Sequence, residues 1–289
     1  MKKSDNRRHI LSLSGGKDSA ALAVYLKDKI PNLEYVFLDT GKELPETYDF
    51  LNRMRAVLGI EITTLKSKRD FDWWLRVFNG CLPSPQNRWC TKLLKIIPYE
   101  NYIGEDRVIS YIGLRSDEDR TGYFSNKPNI IPMYPFIEDN LTKKDIIEIL
   151  ENSGLGLPKY YKWRGRSGCY FCFFQKRSEW IGLYDYHNNP PECLFDKACE
   201  YETNHSDGRQ YTWIQGEPLR QLIRRRETIL HDSYTKAKKT ESRSNRLSDR
   251  LKSVQFSLGN ESVLRKSFSG ESDSTQSSEE DKPCLICTI

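Results

Sequence analysis

The sequence predicts an α/β fold, a parallel sheet with helices on both faces, and three observations lead there. Short apolar runs suited to strands alternate with stretches of helical spacing. Tyr35-Val36-Phe37-Leu38 is apolar at every position, as a strand covered on both faces must be. The first strand–helix junction carries paired glycines, Gly15 and Gly16, which let the backbone turn tightly.

The elements follow in order. His9–Leu13 is a short β-type run that ends in Ser14-Gly15-Gly16. Asp18–Ile30 reads as a helix with Ala21, Leu22, Tyr25 and Leu26 on one face. After the Tyr35–Leu38 strand, a helix entered near Pro45 sets Leu51, Met54, Val57 and Leu58 at helical spacing and stops at Gly59. Glu61–Leu65 and Arg107–Leu114 supply further strands. Thr142-Lys143-Lys144-Asp145 forms a capping box that opens a helix burying Ile146, Ile149 and Leu150 and ending at Gly154. Ligands of such sheets sit beyond the carboxyl ends of the strands, so Ser14–Ser19 and Asp39–Glu43 fall on the binding edge.

Composition bounds the rest. The chain has 289 residues with 45 Lys+Arg, 40 Asp+Glu and eight cysteines, enough for one large domain or one plus an appendage. No run approaches the roughly 18 apolar residues of a membrane span. The basic start Met1–Arg8 leads into Ile10–Ser14, but Lys17 and Asp18 interrupt any signal-peptide core. The expectation is a cytoplasmic protein with no membrane partner, whose cysteines serve metal or redox chemistry rather than disulfides. The net charge of +5 is segmented: Leu219–Lys266 holds 13 basic and 5 acidic residues, whereas Ser267–Ile289 holds one lysine and five acids. Four segments are expected: a nucleotide-binding domain over 1–160, a helical cap over 161–218 and a basic, helical segment over 219–266. The fourth, 267–289, is an acidic, Ser-rich disordered tail.

Ser14, Gly15, Gly16, Lys17, Asp18 and Ser19 follow the first strand and open the first helix, where amides, hydroxyls and a lysine can face phosphate oxygens. A second Gly-Lys-Ser/Thr element is missing, so this is not a Walker A loop. The Ser-Gly-Gly-Lys-Asp-Ser string resembles the PP-loop of the adenine nucleotide α-hydrolase superfamily. Residues 37–47, Phe-Leu-Asp-Thr-Gly-Lys-Glu-Leu-Pro-Glu-Thr, resemble the second motif of the phosphoadenosine phosphosulfate (PAPS) reductase family. Cys90 through Pro98 is similar to its Cys…Lys-x-x-Pro segment, and Gly113-Leu114-Arg115 with Asp117, Glu118 and Arg120 to its Gly-Ile/Leu-Arg stretch. Pro135-Phe136 leads into the Thr142 helix as in that family, and Gly168-Cys169-Tyr170-Phe171-Cys172 matches its Gly-Cys-x-x-Cys.

The resemblance implies a Rossmann-like domain that binds ATP or an adenylyl sulfate or PAPS, with Mg2+, and works at the α-phosphate. Some members are sulfonucleotide reductases that use a thiol reductant such as thioredoxin. Others resemble the DndC and SspD proteins of DNA phosphorothioation and phage defence, which turn ATP into AMP and pyrophosphate during sulfur transfer, with a cysteine desulfurase as sulfur donor. The latter subgroup is favoured here. The rival from another class is a non-catalytic nucleotide- or nucleic-acid-binding module. The six loop residues are assigned to the phosphates, Asp39 to magnesium or a ribose hydroxyl, and Arg115 and Arg120 to anion contacts. Lys17, Asp39, Arg115 and Cys287 are the candidate catalytic residues.

Cluster-bearing members hold a [4Fe–4S] group with a Cys-Cys pair and a distant Cys-x-x-Cys. Here Cys90, Cys169 and Cys172 match, but Trp89 stands where the fourth would be. Cys81 is the nearest replacement, and zinc is the alternative to the cluster. Cys193 and Cys199 read as small core residues. The C-terminal Cys284-Leu285-Ile286-Cys287 could supply a mobile nucleophile, metal ligands or nothing, and the usual Glu-Cys-Gly context is absent. Two amphipathic helices ending near Tyr201 are expected to bury Trp180, Tyr184 and Tyr186 against the sheet domain. Arg224, Arg225, Arg226, Lys236, Lys238 and Lys239 make a basic stripe suited to DNA phosphates or to solvent.

Overall fold

The computed structural model describes residues 7–119, 127–204, 209–236 and 238–239. Strands β1 (Arg8–Leu13), β2 (Leu33–Asp39), β3 (Ile62–Lys66), β4 (Val108–Tyr111) and β5 (Ile130–Met133) form one sheet in the order β3-β2-β1-β4-β5. Every pairing in it is parallel, with Leu13 opposite Phe37 and Leu11 opposite Tyr111. Helices α1 (Lys17–Leu26) and α2 (Pro45–Leu58) follow β1 and β2. Between β3 and β4 lie α3 (Phe71–Val77), α4 (Trp89–Thr91), a π-helical turn (Lys92–Ile96) and α5 (Ile97–Ile103). After β5 come α6 (Pro135–Glu138) and α7 (Lys143–Asn152).

Both faces of the sheet are covered, and alternation along β1 shows how. Leu11 and Leu13 pack with α1, α2 and α7 residues such as Leu22, Met54 and Ile146. Ile10 turns the other way and meets Tyr99 and Ile103 of α5 together with Val36 and Val108. Truncating any of these wholly buried side chains costs about 2–5 kcal/mol.

The cap comprises a 3-10 turn (Lys159–Lys162), α8 (Arg177–His187), α9 (Leu194–Glu200), the short antiparallel pair β6 (Thr203–Asn204) and β7 (Gln210–Tyr211), and α10 (Leu219–Arg224). Its Trp180, Phe195 and Trp213 share a core with Leu44, Phe71 and Trp89 of the preceding segment. Helical backbone continues over residues 226–236. No helix among the described residues is long and apolar enough to cross a membrane.

Four details differ from the sequence reading. Helix α1 ends at Leu26 rather than Ile30: Lys29 and Ile30 both donate to the Leu26 carbonyl, and Pro31 disfavours helical backbone just before it. Val57 is exposed, because Phe50 rather than Val57 joins Leu51, Met54 and Leu58 on the buried face of α2. Strand β5 went unread because it is four residues long and contains Pro132, which an edge strand tolerates. Tyr184 and Tyr186 are exposed on α8, whereas Trp180 of the same helix is fully buried.

Candidate functional site

The sheet's order reverses beside β1. From β1 the chain builds outward to β2 and β3, then crosses to β4 and β5 on the other side. The crevice at such a reversal, beyond the strand ends, is where open α/β sheets bind ligands. Here it lies between the loop after β1 and the loop after β4, which carry Ser14–Ser19 and Gly113–Glu118.

The first loop is tightly built. Gly15 has φ +71, and a Cβ there would stand 2.5 Å from Thr47 Cγ2. Only glycine fits, so α2 packs directly on the loop. Ser19 Oγ lies 3.1 Å from Ser14 Oγ and 3.3 Å from the Gly16 carbonyl to which it donates. Gly113 lets the β4 loop close on α1, since a Cβ there would come 3.0 Å from the Asp18 carbonyl.

Charges meet at Asp18. Its carboxylate takes Lys17 Nζ at 2.7 Å on one oxygen and Arg115 Nη1 at 2.6 Å on the other. Arg115 also pairs with Asp117 at 2.8 Å and Glu118 at 2.6 Å. Burial would lower the Arg115 pKa, but Asp18 and its neighbours outweigh it and hold the guanidinium charged. The 3-10 turn reaches in from the cap: Tyr160 Oη donates to the Gly15 carbonyl at 2.7 Å, and the Lys17 amide donates to Tyr161 Oη at 3.2 Å.

Asp39, at the end of β2, is almost wholly buried and already engaged. One oxygen accepts from the Gly41 amide at 2.7 Å and Tyr48 Oη at 2.8 Å, and the other meets Lys66 Nζ at 3.1 Å. Next to it Thr40 opens a second site. Cys90, Cys169 and Cys172 line one cavity with Thr40, Lys95 and Phe171. Cys90 comes from α4, and the π-helical turn after it arises where Pro98 cannot donate to the helical ladder; Ile97 reaches back to the Lys92 carbonyl instead. Cys169 Sγ lies 3.1 Å from Thr40 Oγ1 and 3.7 Å from Glu43 Oε1, across an isolated backbone bridge between Glu43 and Cys169. Burial, then the Glu43 charge, pushes the Cys169 thiol well up, against the opposing pull of the Lys95 ammonium. Arg164, fully buried, holds the Gly168 and Cys169 carbonyls at 3.0 and 2.9 Å.

The donor type suits a thiolate-held iron–sulfur group, since three cysteines share one largely apolar cavity. Among the described residues no group of three or more His, Cys, Asp and Glu is gathered to hold a single ion, the three cavity cysteines included, so neither zinc there nor magnesium at Asp39 gains support. Cys81 is not among the residues lining the cavity; its thiol faces the Leu82 carbonyl at 3.8 Å. Trp89 is core, stacked on Phe71 at 5.0 Å. Cys199 is buried, its thiol pushed up to about 12 by burial, in keeping with a packing role.

Three assignments lie outside the described residues: Arg120, the Cys284/Cys287 pair and the segment from 240 onward. Of the basic stripe, Arg225 pairs with Glu217 and Arg226 with Asp185, both on the surface of the cap. Sequence reading placed Thr40 and Glu43 on the binding edge without a role beside the cysteines, and missed Tyr160, Tyr161 and Arg164. The signal was there in part, as an aromatic pair and a basic residue just ahead of Gly-Cys-x-x-Cys.

Comparison with known proteins adds a family. The model of the phosphoadenosine phosphosulfate reductase domain matches residues 8–172, from β1 to the last of the three cavity cysteines. The Uncharacterized protein MJ0973 of Methanocaldococcus jannaschii is 27% identical over 197 residues, 64% of this chain and 45% of that one. The chain thus spans less than half the length of that relative. The Uncharacterized nin region protein ORF290 of Escherichia phage lambda is 26% identical over 208 residues, 61% of this chain and 68% of that one. Among solved structures, phosphoadenylyl-sulfate (PAPS) reductase from Candida auris, a phosphate complex, gives a TM-score of 0.44 at 15% identity, covering 54% of this chain and 77% of that one.

Proposed function

The chain belongs to the phosphoadenosine phosphosulfate reductase domain family, and from that premise we propose that it binds ATP at Ser14–Ser19 and forms AMP and pyrophosphate in a sulfur-transfer reaction. The observation that carries this reading is the meeting of the loops after β1 and β4 at the sheet's switch point, with Lys17 and Arg115 both on Asp18. An incoming triphosphate competes with Asp18 for these two cations. Lys17 and Arg115 then neutralise phosphate charge, Arg115 through a planar fork suited to two oxygens. Gly15 and Gly16 keep the backbone low enough for phosphate to approach it. Asp39 orients the β2 loop through Gly41 and Tyr48, and its Lys66 partner is largely exposed and can yield to a ribose hydroxyl or a magnesium ion.

Cys90, Cys169 and Cys172 would hold the [4Fe–4S] group, which supplies electron transfer or a sulfur-binding iron when bound. Thr40 Oγ1 and Glu43 position Cys169, and Arg164 fixes the turn that carries it. Because Thr40 is next to Asp39, the sulfur-handling cavity adjoins the nucleotide edge. A cysteine desulfurase fits as sulfur source, and DNA, met through the basic residues after 219, as acceptor. In this reading the protein serves DNA phosphorothioation or phage defence.

The second reading is an adenylyl sulfate or PAPS reductase that uses a thiol reductant, and the domain family itself favours it. Trp89, a core residue at the position of a second cysteine, weighs toward the ATP reading. Titration with ATP tests the core of the proposal: micromolar binding is expected, weakened at least about tenfold in Lys17→Ala by loss of a charge-assisted contact. Equal binding by that variant would overturn it.

A further inference from the structure

The cap contributes a side chain to the phosphate loop. We propose that Tyr161 is a phosphate-contacting residue, its hydroxyl joining the Lys17 amide around one oxygen of the bound nucleotide. This rests on the nucleotide reading above and deepens it by adding a residue from outside the loop.

The geometry carries the inference. Tyr161 Oη accepts the Lys17 amide at 3.2 Å, so in the free protein it stands where an anion's oxygen would meet the first amide of α1, a ten-residue helix. The Lys17 ammonium lies 5.6 Å from the centre of the same ring. Asp18 and Arg115 both act electrostatically on the phenol, which places it in the same charge cluster. The turn is held from below by Tyr160, wholly buried, whose hydroxyl donates to the Gly15 carbonyl at 2.7 Å. Ser167 also leans on the loop, its Oγ 2.9 Å from where a Gly16 Cβ would be.

The charge balance gives the phenol its role. Lys17 and Arg115 face three carboxylates, Asp18, Asp117 and Glu118, so part of their charge is already neutralised when a triphosphate arrives. A neutral donor adds attraction for a phosphate oxygen without another charge to desolvate. Burial, and then Asp18, push the Tyr161 pKa upward, so the phenol keeps its proton and can donate it once the Lys17 amide turns to phosphate.

The test compares ATP binding and unliganded melting temperature in the wild type, Tyr161→Phe and Tyr160→Phe. Tyr161→Phe is expected to weaken ATP binding about five- to tenfold, the worth of one neutral hydrogen bond. Tyr160→Phe removes the tether to Gly15 and the hydroxyl contact to Tyr161 but keeps the Tyr161 phenol, and is expected to lower the melting temperature while losing less than half of that affinity factor. Unchanged or tighter binding by Tyr161→Phe would overturn the proposal and leave the nucleotide reading intact. Equal affinity losses in the two variants would also overturn it, by reducing Tyr161 to a structural prop. A wild type that does not bind ATP would overturn the nucleotide reading and this proposal with it.

Discussion

Arg115 Nη1 lies 2.6 Å from Asp18 Oδ1, joining the loop after β4 to the first turn of α1 across the sheet's switch point. The same carboxylate holds Lys17 on its other oxygen, so one acid organises both cations expected at the phosphates. The contact is mostly shielded, with the Arg115 side chain 10% and the Asp18 side chain 16% exposed. Removing Arg115 therefore leaves this shielded carboxylate to Lys17 alone.

Arg115→Ala should weaken ATP binding by about 10- to 100-fold, the range for a charge-assisted hydrogen bond. Arg115→Lys should recover only part of it, since an ammonium cannot serve Asp18, Asp117 and Glu118 as the fork does. Calorimetric titration of the three proteins reads this directly; full recovery by lysine would deny the fork its role.

Gly15→Ala should lower stability by at least about 1–2 kcal/mol, from a left-handed backbone and a clash with Thr47. Combining it with Thr47→Ser removes the clashing Cγ2 and should restore part of the loss but not all, because the φ penalty remains. Melting temperatures of the single and double variants check this. A single variant as stable as the wild type would show that the loop does not pack on α2 as described.

His187 on α8 clamps the cap to α2, with Nε2 2.8 Å from Glu46 and Nδ1 2.7 Å from Glu192. Burial favours the neutral ring, yet the two carboxylates outweigh it and hold the pKa above the ordinary 6.5. This contribution is complete below pH 6.5 and is lost as pH rises through the raised folded value. Glu46, though burial opposes it, is held below its ordinary 4.5 by His187, so its share is present above 4.5 and lost on further acidification. Melting temperature should fall as pH rises above 6.5 through the raised His187 value, and His187→Gln, costing about 1–3 kcal/mol at pH 6, should flatten that slope. An identical slope in the variant would remove His187 from the effect.

Anaerobic purification should yield iron and sulfide in about four-to-four ratio, lost in Cys172→Ala and in Cys169→Ala. Thr40→Val should keep iron but bind it less firmly, since it leaves Cys169 without its hydroxyl partner at 3.1 Å. Metal analysis settles both. Stoichiometric zinc with no iron would contradict the cluster.

Much of this was legible in the sequence because it is local. The Thr142 capping box appears as read, with the Thr142 amide 2.7 Å from Asp145 Oδ2, and Gly59 ends α2 in left-handed backbone. The apolar run at Tyr35–Leu38 became the buried part of β2 because such a run has no polar face to leave outside. What escaped is long-range. Nothing near Tyr161 in sequence announces that it meets Lys17, 144 positions away, or that Thr40 meets Cys169, 129 positions away. Those pairings follow from how the cap folds back over the strand ends, which periodicity does not encode. Strand β5 was lost for the opposite reason: four residues with a proline carry too weak a pattern.

The most direct test of the central claim is the product formed from each nucleotide. Purified protein incubated separately with ATP, adenylyl sulfate and PAPS, with thioredoxin and its reductant present, should convert ATP to AMP and pyrophosphate, and Lys17→Ala should lose that conversion. Sulfite released from adenylyl sulfate or PAPS, with ATP left intact, would contradict it.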